Sequence, residues 1–165
     1  MASNTDFDFE QGNADASITE NIQANECNRI NTSLIMLKDN PCKVTFYSEH
    51  KSGKHGSCKC NFIGRDIFTG KDYTYCYTSS DTVYKPIVTK TEYVCQYVQE
   101  DGFLSLITEA GAQKEDVKLP MEDHLRDIAK RINEICEAGE KECLVTVQKW
   151  GNREQACHVR EGQSF

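Results

Sequence analysis

The sequence predicts a mostly β protein of two small barrels, the second carrying one amphipathic helix. Three observations support this. Short segments with apolar residues at every second position recur between residues 34 and 77. A polar stretch, residues 78–86, then interrupts the pattern before shorter strand-like runs resume. One run alone, around residues 125–136, has helical spacing. The 165 residues, 38% apolar and 27% charged, suit one medium domain or two small ones.

Residues 1–16 are polar, acidic and aperiodic, and are read as a disordered tail. Leu34–Leu37 is a buried strand, Asn40-Pro41 a turn, and Cys42–Tyr47 a strand of period two. A glycine-bearing loop follows, and Cys58–Ile63 alternates again with Cys58, Cys60 and Phe62 on one face. Together they read as a long β-hairpin. Thr69-Gly70-Lys71 turns the chain into the strand Asp72–Tyr77. Several short strands in about 60 residues make a small barrel. Residues 17–86 are therefore the first domain, closed by the polar junction 78–86, and residues 87–165 the second.

In the second domain, Tyr93–Val98 and Phe103–Ile107 flank a turn at Glu100-Asp101-Gly102, and Val117–Leu119 is a short third strand. Leu125, Ile128, Ala129, Ile132, Ile135 and Cys136 form one apolar helical stripe. Pro120, Glu122 and Asp123 suit the helix start, and Gly139 its C-terminal cap. Strands at Cys143–Val147 and Cys157–Val159 complete a five-stranded barrel of the oligonucleotide/oligosaccharide-binding (OB) kind.

The net charge is −7, against a generic nucleic-acid binder. Its distribution is uneven: residues 1–26 carry six acids and no base, residues 27–86 a net +4, and residues 87–165 a net −5. Residues 50–65 hold Lys51, Lys54, Lys59 and Arg65 with His50 and His55 and no acid. Acidity elsewhere does not cancel such a patch beyond a Debye length of about 8 Å. Nine cysteines, an odd number, occur without a Cys-x-x-Cys pair or a signal peptide. They read as reduced, mostly packed thiols of a cytoplasmic protein. No run is long and apolar enough to span a bilayer, so no membrane partner is expected.

No catalytic set stands out, so the chain is not read as an enzyme. A Cys–His nucleophile pair has nothing to select one cysteine of nine. His50, His55, Cys58 and Cys60 are acceptable zinc ligands at the wrong spacing for a finger, so no metal is assigned. Gly53-Lys54 lacks the other glycine and the Ser/Thr of a phosphate loop. What remains is an amine flanked by glycines at a hairpin tip, able to enter a narrow pocket. Lys51 and His55 would favour the neutral, nucleophilic form of Lys54. These residues alone slightly favour an ordinary solvated turn.

Lys51-Ser52-Gly53-Lys54-His55-Gly56, followed by Lys59, resembles the modification loop of the eukaryotic translation initiation factor 5A family. Asn40-Pro41-Cys42-Lys43, Asp66-Ile67-Phe68-Thr69-Gly70-Lys71, Asp101–Leu106 and Glu115–Pro120 match it in order, over roughly residues 17–150. The chain departs from the family pattern at Ser57, Cys58, Cys60, Asn28–Ser33, Ser79–Thr82 and the last fifteen residues. The resemblance implies an SH3-like barrel followed by an OB-fold domain. It implies no bound cofactor, but a hypusine at Lys54. That group is built from spermidine by NAD-dependent deoxyhypusine synthase and completed by deoxyhypusine hydroxylase. It further implies binding at the ribosomal exit site, with Lys54 reaching the peptidyl-tRNA to promote difficult peptide bonds, such as proline runs, and termination. Lys51, Gly53, His55, Gly56 and Lys59 would be its loop and RNA-contacting neighbours. Two alternatives keep other roles: an unmodified RNA- or protein-binding adaptor of the same fold, or a thiol or metal protein using His55, Cys58 and Cys60.

Overall fold

A computed structural model describes residues 18–51 and 58–165. The acidic tail and the connection bearing Gly53, Lys54, His55 and Gly56 lie outside the described residues. The fold is mostly β, in two compact units that meet in sequence between Ile87 and Val88.

In the first unit, β1 (Thr19–Gln23) leads through a 3-10 turn (Ala24–Glu26) to β2 (Leu34–Leu37), β3 (Asn40–Lys51), β4 (Cys58–Asp66), β5 (Asp72–Thr78) and β6 (Thr82–Pro86). Strands β2 to β5 form an antiparallel sheet in chain order, and β1 pairs with β6. The core is Ala24, Cys27, Ile35, Leu37, Cys42, Val44, Cys60, Phe62 and Val83. Phe62 is its largest fully buried side chain, edge-on to Tyr47 at 5.1 Å and to Tyr77 at 6.1 Å between ring centres. Gly64 sits where strands crowd: a Cβ there would lie 2.7 Å from Leu37 Cδ1 and 2.8 Å from Cys42 Cβ.

The expected face of β4 is correct: Cys60 and Phe62 are buried and Lys59 is exposed. Three expectations in this unit change. The turn expected at Asn40-Pro41 lies two residues earlier, at Lys38 and Asp39, both with positive φ. Leu37 pairs with Asn40, and the Asn40 side-chain amide donates to the Leu37 and Lys38 carbonyls. Asn40 thus secures a two-residue hairpin turn from its first strand position. Period two over Cys42–Tyr47 also breaks. A β-bulge between Val44 and Phe46 leaves Thr45 as the extra residue, turning Phe46 outward to 47% exposure and Tyr47 onto the core. Lastly, residues 78–86 are no open junction, because residues 82–86 are β6. Its backbone pairs with β1, and Val83 enters the core. Pairing with a remote strand supplied the anchor that the local sequence lacked.

Asp66, 2% exposed, is explained by the turn after it. Its carboxylate accepts the amides of Phe68 at 2.8 Å and Thr69 at 3.0 Å, and its carbonyl accepts that of Gly70. Gly70 takes a positive φ of 79° to complete the reversal. A buried carboxylate is tolerated here because its Oδ1 accepts two backbone amides.

The second unit contains β7 (Thr89–Val98), β8 (Leu104–Ile107), β9 (Gln113–Lys114), a 3-10 turn (Asp123–Leu125), α1 (Arg126–Ala138), β10 (Lys141–Trp150) and β11 (Arg153–Ser164). Its five-stranded antiparallel sheet has the order β9-β8-β7-β10-β11. Ile132 and Ile135 of α1 are buried against sheet residues including Leu104, Leu106, Val145 and Val147. Gly139 caps the helix in the left-handed region at φ 64°, as expected. The helix proper starts later than Pro120 suggests, because residues 123–125 form a 3-10 turn first. The third strand also moves. Gln113 and Lys114 pair with β8, whereas Val117–Leu119 contributes a bridge from Lys118 to Phe103 and hydrogen bonds to Leu104 and Gly102.

Candidate functional site

The β3–β4 hairpin keeps its register to its end. Glu49 faces Cys60, His50 faces Lys59, and Lys51 faces Cys58. Residues 52–57, with Lys54 among them, connect the last pair. His50, Lys51 and Lys59 are all exposed, and among the described residues neither lysine joins a salt bridge. The described end of the stem therefore presents two lysines that are not held in ion pairs, with Glu49 on the face that Lys51 shares. Arg65 does not join them. It sits six residues along β4 from Lys59, roughly 20 Å away at strand rise, and pairs with Asp72 at 3.0 Å.

The face that Lys51 shares with Glu49, Cys58 and Cys60, opposite to that of His50 and Lys59, is fixed by a polar chain that local sequence did not reveal. Tyr47 Oη donates to Glu49 Oε2 at 2.9 Å and lies 3.2 Å from Cys60 Sγ. With its proton given to Glu49, Tyr47 accepts from the Cys60 thiol. Cys58 Sγ donates to Glu49 Oε1 at 3.2 Å. Burial, then these neighbours, hold the Tyr47 hydroxyl well above its ordinary range. The hydrogen bond to Glu49 raises the Cys58 thiol above its ordinary value. The following turn braces the same corner. Ser79 N donates to Cys58 O, Asp81 Oδ2 accepts from Thr78 N, and Ala24 N and Asn25 N bond to the carbonyls of Asp81 and Ser79. Ser79–Thr82, which departs from the family pattern in sequence, thus ties the stem to the start of the unit.

This geometry bears on the thiol alternative. Cys58 is held as a neutral donor to Glu49, so it is not an activated thiolate, and Cys60 is buried against Tyr47. Glu49→Gln removes the negative charge that opposes the Cys58 thiolate. Alkylation of Cys58 at neutral pH, followed by peptide mass spectrometry, is expected to speed up about two- to fivefold, a fraction of the tenfold that a whole pKa unit would give. The gain should vanish once pH exceeds the thiol pKa of both proteins. An unchanged rate would contradict the role given to Glu49.

Comparison with known proteins covers both units. Residues 17–81 match the family model "Translation initiation factor 5A-like, N-terminal", and residues 87–160 match "Eukaryotic elongation factor 5A hypusine, DNA-binding OB fold". A eukaryotic translation initiation factor 5A of Zea mays is 38% identical over 162 residues, covering 98% of each chain. An initiation factor 5A-3 of Arabidopsis thaliana is 36% identical, covering 96% of this chain and 97% of its own. Among solved structures, an eIF-5A family protein of Naegleria fowleri superposes with a TM-score of 0.76 at 32% identity, covering 87% of this chain and 99% of its own. An initiation factor 5A of Methanococcus jannaschii shares the fold at 17% identity, with a TM-score of 0.65 over 86% of this chain and 95% of its own.

Proposed function

Since the chain belongs to the eukaryotic translation initiation factor 5A family, we propose that it acts on the ribosome as a translation factor whose working group is a hypusine at Lys54. The observation that carries this reading is the β3–β4 stem, in register up to Lys51 and Cys58, with Lys54 among the six residues that join them. An antiparallel stem is a stiff support for a side chain that must enter a narrow cleft. Deoxyhypusine synthase transfers the aminobutyl group of spermidine to the Lys54 amine, and deoxyhypusine hydroxylase adds the hydroxyl. The product is longer than lysine and carries a second amine. Both properties suit contact with the phosphates and sugars at the acceptor end of a peptidyl-tRNA.

Gly53, His55 and Gly56 would shape the approach of the modifying enzyme, while Lys51 and Lys59 would add electrostatic contacts to RNA. On this reading the chemistry is done to the protein, and the product is used to position the peptidyl-tRNA for slow peptide bonds and for release. Cytoplasmic location follows from that role. Mass spectrometry of the Lys54 peptide from the native cell tests the reading: the mass of one hydroxylated aminobutyl group is expected on Lys54.

A further inference from the structure

Three cysteines of the second unit converge between α1 and the sheet. Cys95 on β7 and Cys143 on β10 are directly opposite in the antiparallel register. Directly opposed residues have Cβ atoms about 4.5–5.5 Å apart. Cys136, in the last turn of α1, lies over this pair. Its sulfur is 3.8 Å from the Cys95 sulfur, and all three sulfurs lie within 4.8 Å of one another. Cys95 and Cys143 are buried, while Cys136 is half-buried and gives the cluster an edge toward solvent.

We propose that Cys95, Cys136 and Cys143 form a three-thiolate site for one soft monovalent cation, copper(I). Metal–sulfur bonds of about 2.3 Å in a trigonal arrangement put sulfurs about 4 Å apart, close to the separations already present. Thiolates select copper(I) and zinc, and structural zinc asks for four protein ligands. Among the described residues no fourth Cys, His, Asp or Glu joins this group, so the donor set matches a three-coordinate ion. On binding, each coordinating sulfur releases its proton to solvent and no electron is transferred.

Three thiolates and one copper(I) carry a net negative charge, so a nearby cation helps to hold the loaded site. Arg131 eases ionisation of Cys143 and offsets part of the thiolate charge. This site shares no residue with the β3–β4 stem and does not depend on the state of Lys54.

The test is anaerobic titration of the reduced full-length protein with copper(I), buffered by a chromophoric chelator. One tight equivalent is expected. Cys58→Ser/Cys76→Ser, which removes two thiols outside the core of either unit, should retain it. Cys136→Ser should weaken it by more than the roughly 100-fold that bounds loss of an outer-shell partner. In the wild type, one equivalent of copper(I) should protect the Cys136 peptide from N-ethylmaleimide while Cys76 still reacts, a readout that needs no folded variant. The proposal is overturned if Cys136→Ser keeps the tight equivalent, if Cys58→Ser/Cys76→Ser loses it, if Cys136 is not protected, or if zinc(II) is held more tightly than copper(I).

Discussion

Replacing Lys54 with arginine is expected to slow peptide synthesis through proline runs at least about tenfold, equivalent to ~1.4 kcal/mol in the barrier. Arginine keeps one positive charge but cannot accept the aminobutyl group. The comparison therefore separates charge from reach. It uses wild type and Lys54→Arg, each purified from cells that carry the modifying enzymes, in a reconstituted translation reaction on a proline-run message. Synthesis on a message without such runs should change little. Lys51→Ala and Lys59→Ala serve as contrasts. Each removes an exposed cation beside the connection, so each should raise the concentration needed, most at low salt and less as salt screens the contact, without lowering the saturating rate. Equal activity of Lys54→Arg and wild type on the proline-run message would refute the assigned role and leave the unmodified adaptor as the better account.

Phe62→Ala is expected to cost the first unit about 3–5 kcal/mol, the range for truncating a buried aromatic residue. Phe62 is 1% exposed and is the ring against which Tyr47 and Tyr77 are set edge-on. Tyr47 in turn holds Glu49 and Cys60 below the stem end. The lesion should therefore loosen the base of the candidate site as well as the core. For a unit of this size each kcal/mol lowers the midpoint by about 4–8 °C, so a fall of more than about 12 °C is expected in the tyrosine circular dichroism. Trp150, the only tryptophan, lies on β10 of the second unit. Its fluorescence transition should stay near the wild-type midpoint if the units unfold independently. A loss under about 1 kcal/mol would contradict the central packing role given to Phe62.

What the sequence could reveal depended on how local the cause was. The α1 stripe was readable because helical periodicity is written in neighbouring residues, and Ile132 and Ile135 are buried as that stripe requires. The β4 face was readable for the same reason, with Cys60 and Phe62 inside. The outward turn of Phe46 was not, since a bulge at Thr45 is a property of the pairing between β3 and β4. The β1–β6 pair was hidden because its strands are remote in sequence and β6 is polar. The Tyr47–Glu49–Cys58–Cys60 chain and the Cys95–Cys136–Cys143 cluster need cross-strand register to exist at all. As for the site, local chemistry reached only an accessible amine among cations. The specific role proposed for that amine comes from the resemblance of the ordered motifs on both sides of the connection, and family models covering both units show the family.

The most direct test of the account is mass spectrometry of the Lys54 peptide from protein isolated from its own cells, with intact mass measured in parallel. The account predicts one hydroxylated aminobutyl group on Lys54 in most molecules, absent from Lys54→Arg and reduced when spermidine synthesis is blocked. Unmodified Lys54 throughout, in cells shown to contain both modifying enzymes, would contradict it.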